Sequence, residues 1–250
     1  MSDSKAVGSK KAGVLVKTSL VDFPGHVACT VFLHGCNLRC PYCYNTELVT
    51  KDIESIEGIS TVQEIVDHLE KRKNVLTGFV LSGGEALISP FLETLIKEAR
   101  CRGYRIKLDT NGTNPEKLES LLSNPELKPD FIAMDIKTSP KKTGLLLPQL
   151  EGSPVIQTLS ERIKKTASLL ASLPPDMREY RTVLVPPLVS EDDITEMASL
   201  LPHDASWQFA QFRNDDCIDP SYKDITPYTQ SEVDSLVKKA ASLIPGAVLR

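Results

Sequence analysis

The hydrophobic residues of this chain alternate between a period typical of buried strands and a period typical of amphipathic helices. The apolar, β-branched run 28–33 predicts a strand, and the apolar residues of 62–69 recur at helical spacing. Further strands are predicted at 78–82, 104–108, 130–134, 180–185 and 206–212, and further helices at 91–99, 115–122, 159–170, 194–201 and 233–243. Strands that alternate with helices in this way favour a parallel sheet.

Six strand–helix units are too few to close an eight-stranded barrel. The pattern therefore predicts an α/β fold built as an open, curved (β/α)6 partial TIM barrel. Before the first unit, residues 13–26 predict a strand and a Pro-Gly turn, which together indicate a short N-terminal β-hairpin. Residues 1–12 are polar and rich in lysine, so we expect a disordered tail followed by one domain over 13–250.

Composition excludes several functional classes. The chain has 250 residues, of which 41% are hydrophobic and 25% charged, and a formal net charge of −4, so no broad basic surface for nucleic acid is expected. No apolar run approaches the roughly 20 residues that span a bilayer, and the amino terminus lacks the apolar core of a secretory signal. We therefore expect a cytoplasmic protein without membrane contact. Scattered cysteines outside one loop also argue for a reducing compartment.

That loop follows the first strand of the predicted sheet and carries Cys36, Cys40 and Cys43 with the spacing C-x3-C-x2-C. The loop therefore lies at the carboxyl end of a strand, and functional sites of parallel α/β folds are built at the edge of the sheet where these ends lie. A closed structural zinc site needs four protein ligands, whereas three thiolates on a four-iron cluster leave one iron open. An open position is typical of a catalytic metal. A non-catalytic zinc-binding module, with His34 as fourth ligand, is the alternative from another class.

The cysteine spacing, with Tyr42 just before the last cysteine, resembles the signature of the radical S-adenosylmethionine (SAM) enzymes. The resemblance implies that Cys36, Cys40 and Cys43 bind a [4Fe-4S] cluster and that SAM chelates the fourth iron. One electron from the cluster then cleaves SAM to methionine and a 5′-deoxyadenosyl radical. By the same resemblance, Tyr42 contacts the adenine of SAM and Asn45 also contacts SAM; loop packing is the plainer interpretation of Tyr42.

Polar motifs follow the next strands and match further parts of the family pattern. Ser-Gly-Gly-Glu follows the second strand, Asp-Thr-Asn-Gly the third and Asp-Ile-Lys the fourth. The resemblance assigns SAM contacts to Gly83, Gly84, Glu85, Asp109, Thr110, Asn111, Lys137 and Arg181. Asp109 and Asp135 are candidates for a monovalent cation site. Alone, these motifs would be strand-to-helix turns, a helix cap and ion pairs, and a structural ion pair is the alternative interpretation of Arg181. Tyr44, Ala86 and Pro187 depart from the pattern, which has histidine, proline and glycine there.

The opening stretch Lys-Thr-Ser-Leu-Val-Asp-Phe-Pro-Gly and the last strand, 207–213, resemble activating enzymes of anaerobic ribonucleoside-triphosphate reductase. About forty residues separate Cys43 from Gly83, which leaves no room for a ferredoxin-like insert. The resemblance implies hydrogen abstraction from a backbone glycine of that reductase, with a flavodoxin- or ferredoxin-like electron donor. The alternatives within the family are another glycyl-radical protein, a peptide or a small molecule.

Overall fold

The computed structural model of the protein describes residues 7–150 and 152–250, which contain nine strands and seven α-helices. The strands are β1 (Lys11–Ser19), β2 (Ala28–Leu33), β3 (Ile59–Thr61), β4 (Gly78–Gly83), β5 (Arg105–Thr110), β6 (Phe131–Asp135), β7 (Arg178–Leu184), β8 (Trp207–Gln211) and β9 (Ala247–Leu249). The helices are α1 (Thr46–Thr50), α2 (Val62–Arg72), α3 (Leu92–Arg100), α4 (Pro115–Ser123), α5 (Pro154–Ala171), α6 (Glu191–Ala198) and α7 (Gln230–Leu243).

These elements belong to two compact units, between which the chain passes several times. The first unit contains the chain through residue 37 together with 47–110 and 117–131, and the second contains 38–46, 111–116 and 132–250. The boundary falls inside the loop of three cysteines, so Cys36 belongs to the first unit and Cys40 and Cys43 to the second. Each unit is described by itself below.

In the first unit, β2, β4 and β5 are parallel neighbours, while β1 pairs antiparallel with both β2 and β3. Strand β2 is almost entirely buried, as expected for a strand covered on both faces. Helix α2 begins with a capping box between Thr61 and Glu64, and its apolar side includes Ile65 and Leu69, which are fully buried.

The antiparallel β1–β2 pair confirms the predicted hairpin, and Gly25 in its turn has a φ of 74°. Strand β1 begins at Lys11, so residues 11 and 12 belong to a strand, which corrects the predicted extent of the tail. Residues 1–6 of that predicted tail lie outside the described residues.

In the second unit, β6, β7, β8 and β9 form consecutive parallel pairs. The buried Trp207 of β8 donates its indole N–H to the Thr182 hydroxyl at 2.9 Å, and Thr182 donates to the Ile136 carbonyl at 2.7 Å. Helix α5 begins with Pro154 after a Ser153 cap. Short β9 is an addition that the hydrophobic pattern did not predict.

The α/β class and the open, unclosed sheet are confirmed, because each unit contributes three of the six predicted parallel strands. Within the part of the chain that the structure describes, no helix combines the length and the apolar character needed to cross a bilayer.

Candidate active site

The cysteine loop of the second unit, residues 38–46, is shaped by backbone hydrogen bonds. The Cys43 amide donates to the Cys40 carbonyl at 3.1 Å, which closes a turn between these two cysteines. The Arg39 amide donates to the Leu146 carbonyl at 3.0 Å and ties the start of the loop to the segment after β6. Cys40 is buried and Cys43 partly exposed.

Burial raises the pKa of the Cys43 thiol, although the nearby Lys137 ammonium and a hydrogen bond from the Asn45 amide oppose this rise. Binding of a metal to this thiol therefore has to displace its proton. Asn45, which the family resemblance assigned to SAM, supports Cys43 through its backbone.

Cys36, Cys40 and Cys43 form no disulfide, and thiolate is the donor type that iron–sulfur clusters use. The donor type and the spacing along the chain therefore fit a cluster. Across residues 7–150 and 152–250, however, no group of three His, Cys, Asp or Glu side chains is gathered closely enough to hold a metal ion. The ring of His34 places Nε2 2.9 Å from the Lys51 carbonyl, which weakens the alternative zinc site.

Tyr42 lies inside its own unit, with 5% of its surface exposed. Its ring packs edge-on against Phe212, with ring centroids 6.5 Å apart and an interplanar angle of 88°. Burial raises the pKa of the Tyr42 hydroxyl well above its ordinary value. The side chain packs the loop, and its contact with adenine stays a prediction.

The Gly-Gly-Glu turn of the first unit lies against the backbone at the end of β2. The Gly84 amide donates to the Leu33 carbonyl at 3.0 Å and the Glu85 amide to the Gly35 carbonyl at 2.9 Å. Gly83 has a φ of 123°, and a Cβ on Gly84 would lie 2.0 Å from the Gly35 oxygen. The glycines thus permit two chain segments to approach closely. Because the Gly84 and Glu85 amides donate to backbone carbonyls, the carbonyl oxygens of the turn are the groups that can accept a hydrogen bond from the amino group of a ligand.

Glu85 joins two of the predicted motifs. Its side chain is buried, and Oε1 accepts hydrogen bonds from the Thr110 hydroxyl at 2.8 Å and the Leu87 amide at 3.1 Å. Glu85 and Thr110 are therefore brought together as predicted site residues, in a contact that also stabilises the ends of β4 and β5.

Asp109 has a neighbour that sequence analysis missed. The Lys107 ammonium, whose side chain is 1% exposed, lies 3.8 Å from the Asp109 carboxylate and 5.3 Å from the centroid of the Phe131 ring. Residues two apart on a strand share one face, so the Lys-x-Asp spacing in β5 was the available signal.

Asn111 begins a tight turn in the second unit. Its Oδ1 accepts from the Thr113 amide at 3.0 Å and from the Thr113 hydroxyl at 2.6 Å, so it forms an Asx turn. Helix α5 fastens this turn, because Thr166 donates to the Gly112 carbonyl at 2.7 Å and Arg162 donates to the Thr113 carbonyl at 2.6 Å. Sequence analysis did not identify these two supports, which lie about fifty residues further along the chain.

Asp135 accepts hydrogen bonds from two cations at the carboxyl end of β6. Lys137 Nζ lies 3.0 Å from Oδ2, and Arg181 Nε lies 2.9 Å from Oδ1. Burial would raise the pKa of Asp135, but Arg181 and Lys137 outweigh it and lower the pKa to about 2. Burial on its own would lower the pKa of Lys137, because it disfavours the charged ammonium. The neighbouring Asp135 carboxylate outweighs burial and raises this pKa well above its ordinary value. Arg181 thus forms an ion pair, which sequence analysis gave as the alternative to a contact with SAM.

Asp135 and Lys137 line a small pocket of about 10 Å³ within the second unit, which has room for about one water molecule. The pocket is lined by Asn111, Asp135, Lys137, Thr138, Pro140, Thr143, Leu146, Ser160, Ile163, Lys164 and Leu200. The cationic amine of Lys137 and the polar turn of Asn111 thus lie on one pocket, and an amine of this kind suits the carboxylate group of a ligand.

Comparisons with known proteins agree with this chemistry. The family model described as "Radical SAM superfamily" matches residues 30–201. A Methanocaldococcus jannaschii protein named as a glycyl-radical enzyme activating enzyme is 29% identical over 237 residues, which cover 94% of each chain. The pyruvate formate-lyase-activating enzyme of Clostridium pasteurianum is 30% identical over 123 residues, 47% of this chain and 48% of the relative. The crystal structure of Streptococcus suis SuiB is 15% identical with a TM-score of 0.56, over 87% of this chain and 46% of that chain, and shares the fold.

Proposed function

This chain belongs to the radical SAM superfamily, and from that membership we propose that it activates a glycyl-radical enzyme, specifically an anaerobic ribonucleoside-triphosphate reductase. The observation that carries the activating role is the likeness to the M. jannaschii relative over 94% of both chains. A likeness of that extent includes the strands, the turns between them and the cysteine loop, rather than the loop alone.

In this proposal Cys36, Cys40 and Cys43 bind a [4Fe-4S] cluster, and SAM occupies the position that three ligands leave open. When bound, these two groups supply an electron and a 5′-deoxyadenosyl radical that removes one hydrogen atom from the substrate. The protein has to deprotonate the thiols, hold SAM in one orientation and keep water from the reacting atoms.

Polar side chains beside the small pocket of the second unit would orient the carboxylate of SAM. Lys137 is cationic at any physiological pH because its pKa is raised, and it would exchange Asp135 for the carboxylate of SAM. Arg181 stays with Asp135 during this exchange, so the released carboxylate keeps a cationic partner. Carbonyl oxygens of the Gly-Gly-Glu turn would accept hydrogen bonds from the amino group of SAM.

The reductase is proposed as partner because of the opening stretch 17–25 and the strand 207–213, which resemble its activating enzymes. Phe23 of the opening stretch is buried against His26 and Phe131, with ring centroids 4.4 and 5.9 Å apart.

The electron would come from a flavodoxin- or ferredoxin-like protein. A monovalent cation near Asp109 and Asp135 is a subsidiary proposal, which potassium dependence of SAM cleavage would test.

Deuterium transfer tests the proposal most clearly. The reduced, reconstituted protein is mixed with SAM and with an anaerobic reductase that carries deuterated glycine. We expect a glycyl-radical EPR signal on the reductase and deuterium in 5′-deoxyadenosine. The Cys43→Ala variant, which keeps the rest of the loop, should give neither.

Two results would contradict different parts of the proposal. A radical on pyruvate formate-lyase, with none on the reductase, would overturn the proposed partner. SAM cleavage without a radical on any glycyl-radical protein would overturn the activating role and favour a peptide or a small molecule as substrate.

A further inference from the structure

Residues 212–219, here called the clamp segment, follow β8 and lie along the cysteine loop, both within the second unit. At one end, the Arg213 amide donates to the Tyr44 hydroxyl at 2.8 Å, and Phe212 packs edge-on against Tyr42. These contacts fall on both sides of Cys43 and join residues about 170 positions apart in the chain.

Two further hydrogen bonds continue the same contact. The Thr46 hydroxyl donates to Asp216 Oδ2 at 2.9 Å, and the Asp219 amide donates to the Pro41 carbonyl at 2.9 Å. The clamp segment therefore contacts the loop at residues 41, 42, 44 and 46. A residue that contacts the clamp segment lies directly beside each of the two loop cysteines: Pro41 follows Cys40, and Tyr44 follows Cys43.

Residues 38–45 contain no helix or strand, so individual contacts rather than a regular backbone ladder hold this loop. Besides the clamp segment, these contacts include the Cys43–Cys40 and Arg39–Leu146 backbone hydrogen bonds. Loops without regular structure sample many conformations when their contacts are lost, and ordering them upon ligand binding opposes that binding. Contacts from a distant segment reduce this cost before the ligand arrives.

The hydroxyl of Tyr44 has a specific part in this arrangement. Tyr44 is 41% exposed, so packing alone fixes it weakly, while its oxygen accepts a hydrogen bond from the Arg213 amide, two residues after β8. A phenylalanine would keep the ring and remove only the hydrogen bond.

We propose that the clamp segment orders the part of the cysteine loop that carries Cys40 and Cys43 before any cluster is present, and that Tyr44 and Thr46 are the positioning residues that transmit its effect. The consequence for cluster binding rests on the proposed function. The ordering of the loop itself does not, since it concerns the cluster-free protein.

Amide hydrogen exchange of the cluster-free protein tests the ordering directly. In Tyr44→Phe and Thr46→Val we expect exchange of residues 38–46 to accelerate about three- to tenfold, the range for loss of one hydrogen bond. Exchange of α2 should stay unchanged. The matched control is Asp215→Asn, because the Asp215 carboxylate pairs with the exposed Arg213 side chain in the clamp segment. Unchanged exchange in the loop, or equal acceleration throughout the protein, would overturn the proposal.

A double-mutant cycle separates the effect of the clamp segment on the loop from local damage caused by either substitution. If Thr46 acts through Asp216, then Thr46→Val combined with Asp216→Ala, which removes the acceptor, should accelerate exchange no more than the stronger single variant. Additive effects would show that the two residues act independently and would contradict the proposed contact.

The reconstituted protein gives the second readout. Tyr44→Phe should lose iron to a chelator several-fold faster than the wild type and broaden the EPR signal of the reduced cluster, with Asp215→Asn unchanged. A wild type that binds no cluster would refute the proposed function, while the exchange experiment would still decide the clamp. Iron loss at the wild-type rate in Tyr44→Phe would refute the role of the hydroxyl.

Discussion

Replacing Asp135 by asparagine removes the negative charge that Lys137 and Arg181 share. The side chains of these three residues are 29%, 19% and 23% exposed, so solvent screens them only partly. Asparagine has nearly the same shape, but its single acceptor oxygen can keep only one of the two hydrogen bonds. The substitution therefore tests the charge and one hydrogen bond rather than the packing.

The pKa of Asp135 gives the size of the effect. The pKa falls from its ordinary value of 3.8 to about 2, and one pH unit corresponds to about 1.4 kcal/mol. The ionised carboxylate thus contributes about 2 kcal/mol to the free energy of unfolding. Because the folded pKa is lowered, this contribution is complete above about pH 5 and is lost as the pH falls through about 4 toward 2.

Urea unfolding of the wild type and Asp135→Asn at a series of pH values measures this contribution. We expect the variant to be less stable by about 2 kcal/mol near neutral pH, with the difference shrinking as the pH falls from about 5. The control is Asp215→Asn, whose exposed ion pair should be worth less than about 1 kcal/mol. A difference that stays constant from neutral pH to about pH 3 would refute the electrostatic argument.

Three further substitutions test the other parts of the site. Thr110→Val leaves the buried carboxylate of Glu85 without one hydrogen-bond donor and should lower the free energy of unfolding in urea by about 1–3 kcal/mol. Thr110→Ser keeps the donor and should retain most of this stability. Equal losses of stability in both variants would point to packing instead. Gly84→Ala places a Cβ 2.0 Å from a backbone oxygen and should cost at least about 1–3 kcal/mol, so a wild-type melting temperature would contradict the described turn. Arg162→Ala removes one of the two hydrogen bonds by which α5 holds the Asp-Thr-Asn-Gly turn, and it should raise KM for SAM several-fold with little change in kcat. An unchanged KM would separate this hydrogen bond from SAM binding.

Most elements of the fold were predictable because their hydrophobic periods are unambiguous. The strand 28–33 was placed at its observed bounds, and the helix predicted behind Thr61 begins with the expected cap. The start of the fifth parallel strand was misplaced, since β7 begins at Arg178, a charged residue that is nonetheless buried. Periodicity cannot identify such a residue, because its burial depends on an ion pair with Asp204 further along the chain.

Candidate site residues could be proposed from sequence, but the contacts between them could not. Motif spacing pointed to the cysteines and to Lys137, which follow strands of the predicted parallel sheet. The pairing of Asp135 with Arg181 depends on the register of β6 against β7, and the support of Cys43 by the clamp segment depends on residues about 170 positions away. Contacts of this kind are decided by tertiary packing.

The central claim is that three cysteines bind a cluster whose remaining iron accepts SAM. Its most direct test is anaerobic reconstitution of the wild type and of Cys36→Ala, Cys40→Ala and Cys43→Ala, followed by iron and sulfide analysis and assay of 5′-deoxyadenosine. We predict about four irons and four sulfides with reductive SAM cleavage in the wild type, and loss of the cleavage in every variant. One zinc without iron in the wild type, or SAM cleavage that survives any of the three substitutions, would contradict the account.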